Sequence, residues 1–192
     1  LTGCNIYGKA EYFNPGESVK DRAALFIVQD ALKRKLISKG GTIVEGTAGN
    51  TGIGLAIVCK EYDLKLKIVI PRTQSIEKKE TLRRLGAELI EVDAVPYANA
   101  KNYIKQSKQI AEDLNKSSPN GAYWANQFDN TVNTEAHIKT TAEEIWNQSA
   151  GTIDGFTCAV GTGGTLAGVS IGLKSKNKDI KIALSDPMGS SL

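Results

Sequence analysis

The chain has 192 residues, 41% hydrophobic and 23% charged, and its 24 basic and 21 acidic side chains give a formal net charge of +3. That is enough chain for one substantial core or two small ones, and the composition argues against disorder. So slight and interspersed a charge gives no support to nucleic acid as a partner; three scattered cysteines (Cys4, Cys59, Cys158) without C-x-x-C support neither a disulfide framework nor a zinc site, and a single histidine, His137, excludes a multi-histidine metal cluster.

No apolar run approaches the roughly 20 residues of a membrane span, and no signal-peptide pattern is present. The chain opens in mid-phrase with LTGCNIYGKAEYF and stops just after a strand at SDPMGSSL, so further residues are expected at both ends.

In chain order, the periodicity predicts helix 18–37, strand 42–47, helix 51–62, strand 66–71, helix 75–85, strand 87–93, helix 97–115, strand 121–126, helix 134–149, strand 154–160, helix 164–175 and strand 179–186. Strict alternation of strands and helices predicts an α/β protein with parallel sheets, and strands buried on both faces explain the continuously apolar KIVI and FTCAV. The polar stretch QFDNTVN, 127–133, is the best domain boundary, with SSPNG, 117–121, a softer punctuation.

Three stretches carry chemistry. In NPGESVKDRAA, Ser18 and Asp21 fit a helix N-terminus and place Lys20 in the first turn. The positive end of the helix dipole, with Arg22 two residues on, disfavours the ammonium there and lowers the lysine pKa, as an imine-forming amine requires. Taken alone, Lys20 reads first as one solvated lysine among many, and the functional reading needs partners.

In EGTAGNTGIGLA, 45–56, a strand ends in a glycine-bearing turn, and Thr47, Asn50 and Thr51 surround a new helix N-terminus. Free N–H groups and the dipole make an anion cradle sized for a carboxylate; the plain alternative is a turn whose glycines serve geometry only.

In AVGTGGTLAG, 159–168, Gly161, Gly163 and Gly164 let backbone approach closely while Thr162 and Thr165 add donors, which suits a phosphate. No G-K-[ST] ends this loop. It fits the dinucleotide fingerprint poorly because Leu166 stands at the third glycine position, although Asp186 at the end of the next strand keeps a nucleotide reading open. His137, in EAHIKTTAEEIW, reads as a surface residue, and Cys59 and Cys158 as small core residues.

One phosphate cradle, one carboxylate cradle and one depressed lysine are the parts needed for pyridoxal phosphate acting on an amino acid. SVKDRAA, GTAGNTGIGLA, NQFDN and GTGGTLAG, in that order, resemble the fold-type II pyridoxal-phosphate enzymes of the cysteine synthase (O-acetylserine sulfhydrylase) and cystathionine β-synthase branch. PRTQSIEKKETLRRLGAELIEVDAVPY resembles the fungal second-type cysteine synthases, which are associated with mitochondria. The resemblance implies a fold like the tryptophan synthase β chain, two three-layer αβα domains with mostly parallel sheets and the cofactor between them. Residues 14–130 would form the N-terminal domain, and 1–13 with 131–192 an incomplete C-terminal one.

It also implies residue roles. Lys20 becomes the catalytic, cofactor-bearing lysine and Asn50 the partner of the cofactor's 3-hydroxyl. Gly161, Thr162, Gly163, Gly164 and Thr165 become the phosphate loop, and Thr47, Asn50, Thr51 and Gln127 the substrate-carboxylate site. The implied reaction is β-replacement, forming L-cysteine from O-acetyl-L-serine and sulfide through an aminoacrylate, in a homodimer located in mitochondria or cytoplasm. Ala48 stands where the common family loop has serine, removing one hydroxyl near the carboxylate. Two other readings stand beside this one: another fold-type II lyase (a cystathionine β-synthase or serine/threonine dehydratase), and a catalytically degenerate homologue that binds a ligand or partner.

Overall fold

The computed structural model describes residues 3–190. Strands β1 (Thr42–Gly46), β2 (Lys65–Pro71), β3 (Glu88–Val92) and β4 (Ala122–Trp124) form a four-stranded sheet in the order β3-β2-β1-β4, parallel at every pair. β5 (Gly155–Cys158) and β6 (Lys181–Leu184) form a separate parallel pair. Parallel neighbours need a crossover, and the helices between the strands supply it.

The central strand β1 is buried at all five positions because both faces of its sheet are covered. The period of two divides its side chains. Ile43, Ile68 and Ile70 face helices α1 (Lys20–Lys33) and α2 (Asn50–Glu61), meeting Ala24, Ile27, Val28, Leu55 and Cys59. Val44, Val69 and Val92 face the other way, onto Ala111, Tyr103 and Ile110 of α4 (Tyr103–Ser117). A smaller core of Ala142, Ile145, Val169, Leu173 and Ile180 sits against β5 and β6.

Every expected strand and helix is present; the strands are mostly shorter than expected, β4, β5 and β6 by three or four residues, and three helices differ in ways that have a local cause or consequence. Helix α1 stops at Lys33 instead of 37, where Lys35 takes a left-handed φ of 58°. Helix α4 begins at Tyr103, not 97, because Asn102 caps it: its side-chain oxygen accepts the Ile104 N–H at 3.0 Å, and its amide donates to the Val95 carbonyl at 2.9 Å. The helix expected over 134–149 runs as α5 (Val132–Ala136), a π-helical turn (His137–Ala142) and α6 (Glu143–Gln148). Helices α3 (Ile76–Arg84) and α7 (Gly164–Lys176) complete the set. Among the described residues no helix is long and apolar enough to cross a membrane.

Candidate active site

Lys20 is the first residue of α1. The Ser18 hydroxyl accepts the Lys20 N–H at 3.3 Å, while the Asp21 carboxylate reaches back past Ser18 to the Gly16 N–H, so both pattern residues hold the helix start. The lysine pKa is lowered, and the cause is burial of the ammonium, opposed by the facing Cys158 thiol. Arg22 does not take the part expected of it. Its guanidinium is clamped between Glu11, at 2.8 and 2.9 Å, and Glu144, at 2.7 Å on both nitrogens, so two carboxylates compensate its charge. Arg22, with Lys9, in turn holds Glu144 down to about 2.

The second stretch leaves the sheet where β1 ends. Thr47 accepts the Gly49 N–H at 3.2 Å, and Gly49 in extended backbone precedes α2, whose first residue, Asn50, is exposed. Thr51 is buried and donates to the Gln127 side-chain oxygen at 2.6 Å, which brings the QFDN motif onto this loop. The Ala48 methyl packs on the core.

Glu45 explains why the turn after β4 lies where it does. Ladder pairing of β4 with β1 ends at Trp124, and the Ala125 N–H still reaches the Val44 carbonyl at 3.0 Å. The next N–H, of Asn126, goes to the Glu45 carboxylate at 2.8 Å, and Gln127 lies close enough to favour the charged carboxylate as well. Burial pushes Glu45 up to about 7 against these contacts. The one charged residue in TIVEGT, a strand otherwise expected to be buried, was the signal for it.

The third stretch follows β5. Gly161 is exposed, with open space where a Cβ would stand; Gly163, at a φ of 85°, caps α7; and Thr162 and Thr165 flank the helix start. The Thr162 hydroxyl accepts from the Gly164 N–H at 3.4 Å and from the Asn133 amide at 2.9 Å. Asn133 also donates to the Gln127 carbonyl at 3.0 Å. One hydrogen-bonded path therefore joins the second loop to the third: Thr51, Gln127, Asn133, Thr162.

His137 is not a surface residue. It is 2% exposed, with Nδ1 2.8 Å from the Thr141 hydroxyl and Nε2 3.2 Å from that of Thr165. Burial chiefly, with Arg22 and Lys20 nearby, lowers its pKa to about 4. The spacing of Asn133, Ala136, His137, Thr141 and Ile145 is that of a buried helix face; small polar side chains hid it. Cys59 is a core residue as expected, pushed by burial up to about 12, whereas Cys158 is half-buried and faces Lys20.

The structure thus links Thr51, Gln127 and Thr162 through shared hydrogen bonds by way of Asn133, ties Thr47 to Gly49 and Thr165 to His137, and brings Lys20 within electrostatic reach of Cys158, the last residue of the strand leading into the third loop. The family described as pyridoxal-phosphate dependent enzyme matches residues 1–192. The chain belongs to that family. It is 55% identical over its full length to cysteine synthase 1 of Neurospora crassa and 40% identical to cysteine synthase 2 of the same fungus, so identity to the first type is the higher of the two. It spans about half the length of the curated relatives it matches, 50% of the first of these two. Among solved structures, 95% of the chain superposes on 57% of a hydrogen sulfide-producing enzyme from Fusobacterium nucleatum (TM-score 0.84, 41% identity). An O-acetylserine dependent cystathionine beta-synthase from Helicobacter pylori matches 97% of the chain and 58% of its own (TM-score 0.85, 37% identity). The α/β architecture is that of the fold-type II members of the family.

Proposed function

We propose that this chain carries the pyridoxal-phosphate site of an enzyme that forms L-cysteine from O-acetyl-L-serine and sulfide by β-replacement. The observation that carries the reading is the path from Thr51 through Gln127 and Asn133 to Thr162, which fixes a carboxylate cradle and a phosphate cradle relative to each other. The relatives named cysteine synthase, 40 to 55% identical, agree with it.

The residues fit the cofactor. The open space at Gly161, the left-handed Gly163 and the first-turn N–H groups of α7 offer an anion hydrogen bonds without side-chain obstruction. Lys20, Asn50 and the loop Gly161, Thr162, Gly163, Gly164 and Thr165 would hold it. When bound, it supplies an electron sink for negative charge at the substrate α-carbon.

The chain's own residues do the rest. Thr47, Asn50, Thr51 and Gln127 bind and orient the amino-acid carboxylate, which aims the Cα–H bond. Burial keeps the Lys20 amine easier to deprotonate than a surface lysine, so Nζ takes the α-proton and holds it as an ammonium. The core clusters on the two faces of the four-stranded sheet, around Ile43 and Val44, correspond in this reading to domain 14–130, and the cluster on Leu173 to 1–13 with 131–192. The reading also carries a homodimer, and a mitochondrial or cytoplasmic location; a yeast relative at 40% identity is named for mitochondria.

A second reading keeps the site and changes the nucleophile. It is favoured by the solved relative named as an O-acetylserine dependent cystathionine beta-synthase. Visible absorbance of the purified protein with pyridoxal phosphate, before and after Lys20→Ala, and product analysis with O-acetylserine plus sulfide or homocysteine, test both. A bound-cofactor band that needs Lys20, with cysteine as product, supports the proposal. Cystathionine as the main product favours the second reading, and a protein that takes up no cofactor overturns both.

A further inference from the structure

Asn133 lies in the stretch that reads as a linker, yet it is 5% exposed and both hydrogens of its amide are engaged. One goes to the Gln127 carbonyl at 3.0 Å, the other to the Thr162 hydroxyl at 2.9 Å. Its side-chain oxygen lies against Gly164, where a Cβ would overlap the amide group; that glycine leaves room for the asparagine. Its backbone is tied as well, through an N–H bond to the Asn130 carbonyl at 3.0 Å.

We propose that Asn133 is a positioning residue that couples the two cradles, so that filling the phosphate loop sets the geometry of the carboxylate site, and the reverse. The inference rests on the reading of those cradles given above. A primary amide is planar and rigid, so its two hydrogens hold their acceptors at a fixed separation and angle. At one end, the Thr162 oxygen accepts from both Asn133 and the Gly164 N–H, which occupies its lone pairs and leaves its own proton to be donated to an anion in the loop. At the other end, Gln127 is held by its carbonyl to Asn133 and by its side-chain oxygen to Thr51, next to Asn126, whose N–H is held by Glu45. An anion that draws Thr162 toward α7 therefore pulls on the turn carrying Gln127. Allosteric coupling must be reciprocal, and a coupling of this kind commonly changes affinity at least about fivefold.

The test uses the full-length protein stripped of cofactor, with inorganic phosphate as the probe of one cradle and L-alanine, an amino acid without a leaving group, as the probe of the other. Calorimetry should show L-alanine binding at least about fivefold tighter in saturating phosphate, and phosphate tightened equally by L-alanine. In Asn133→Ala each ligand should still bind alone, while the coupling factor falls to within about twofold of one. Coupling that survives in Asn133→Ala, or is missing from the wild type that binds both ligands, overturns the proposal and leaves the function reading standing. A wild-type protein that binds neither pyridoxal phosphate nor L-alanine sinks both. If Asn133→Ala does not fold, amide hydrogen exchange of the wild type decides. Phosphate alone should slow exchange at residues 126–130, and no change there overturns the coupling.

Discussion

Thr51 donates to the Gln127 side-chain oxygen at 2.6 Å, with both residues buried and 76 positions apart in the chain. A buried acceptor that loses its donor costs its full desolvation, about 1–3 kcal/mol. Thr51→Val keeps the shape and removes the hydroxyl. It should lower unfolding stability by that amount in urea titration and weaken amino-acid binding, whereas Thr51→Ser, which keeps the donor, should recover most of both. If Thr51→Val is as stable as the wild type, this bond does not hold the turn.

Two buried titrating groups oppose one another. Glu45, raised from 4.5 to about 7, keeps its proton in the folded state after the unfolded chain has lost it, so stability falls as pH rises through that window. His137, lowered from 6.5 to about 4, stays neutral in the folded state while the unfolded chain is protonated, so its contribution is lost as pH falls from 6.5 toward 4. Each window corresponds to about 3 kcal/mol at 1.36 kcal/mol per pH unit, and the two slopes cancel where they overlap, from 4.5 to 6.5.

Single variants should therefore expose slopes that the wild type hides. Glu45→Gln should gain stability as pH rises from about 4 to 6.5, and His137→Gln should lose it from about 4.5 to 7. Urea midpoints taken from pH 4 to 8 on both variants and the wild type check this; parallel profiles in all three would refute it.

How much of this was legible in the sequence divides along physical lines. The alternation of strands and helices, and the glycine loops at 45–56 and 159–168, are local signals, and they placed every strand and α-helical stretch and the two turns proposed as cradles. Lys20 was legible as a displaced cation, but not the reason for its depressed pKa. Tertiary burial does what Arg22 was expected to do, because Glu11 and Glu144, 11 and 122 residues away, compensate the arginine. Asn133 and His137 were missed because a polar helix face packed against another helix looks, in one dimension, like a solvated one. Only the approach of α7, made close by Gly164 and Gly168, turns that face inward.

That close approach makes the last prediction. Gly168 is buried, and a Cβ there would meet the Thr134 carbonyl oxygen at 2.5 Å and the His137 Cβ at 2.6 Å. Both neighbours belong to the turns that carry His137 behind Thr165, and backbone cannot yield as a flexible side-chain tip does. Gly168→Ala should cost about 1–3 kcal/mol, as overpacking does, and should displace Thr165 through His137, weakening phosphate or cofactor binding as well. Gly161 is the control within the same loop, since a Cβ there meets nothing within 4 Å. Gly161→Ala should stay within about 0.5 kcal/mol of the wild type in urea titration, as exposed substitutions usually do, yet weaken binding by intruding on the cradle. If the two variants lose stability equally, the packing of the π-helical turn on α7 is not what sets the position of the loop.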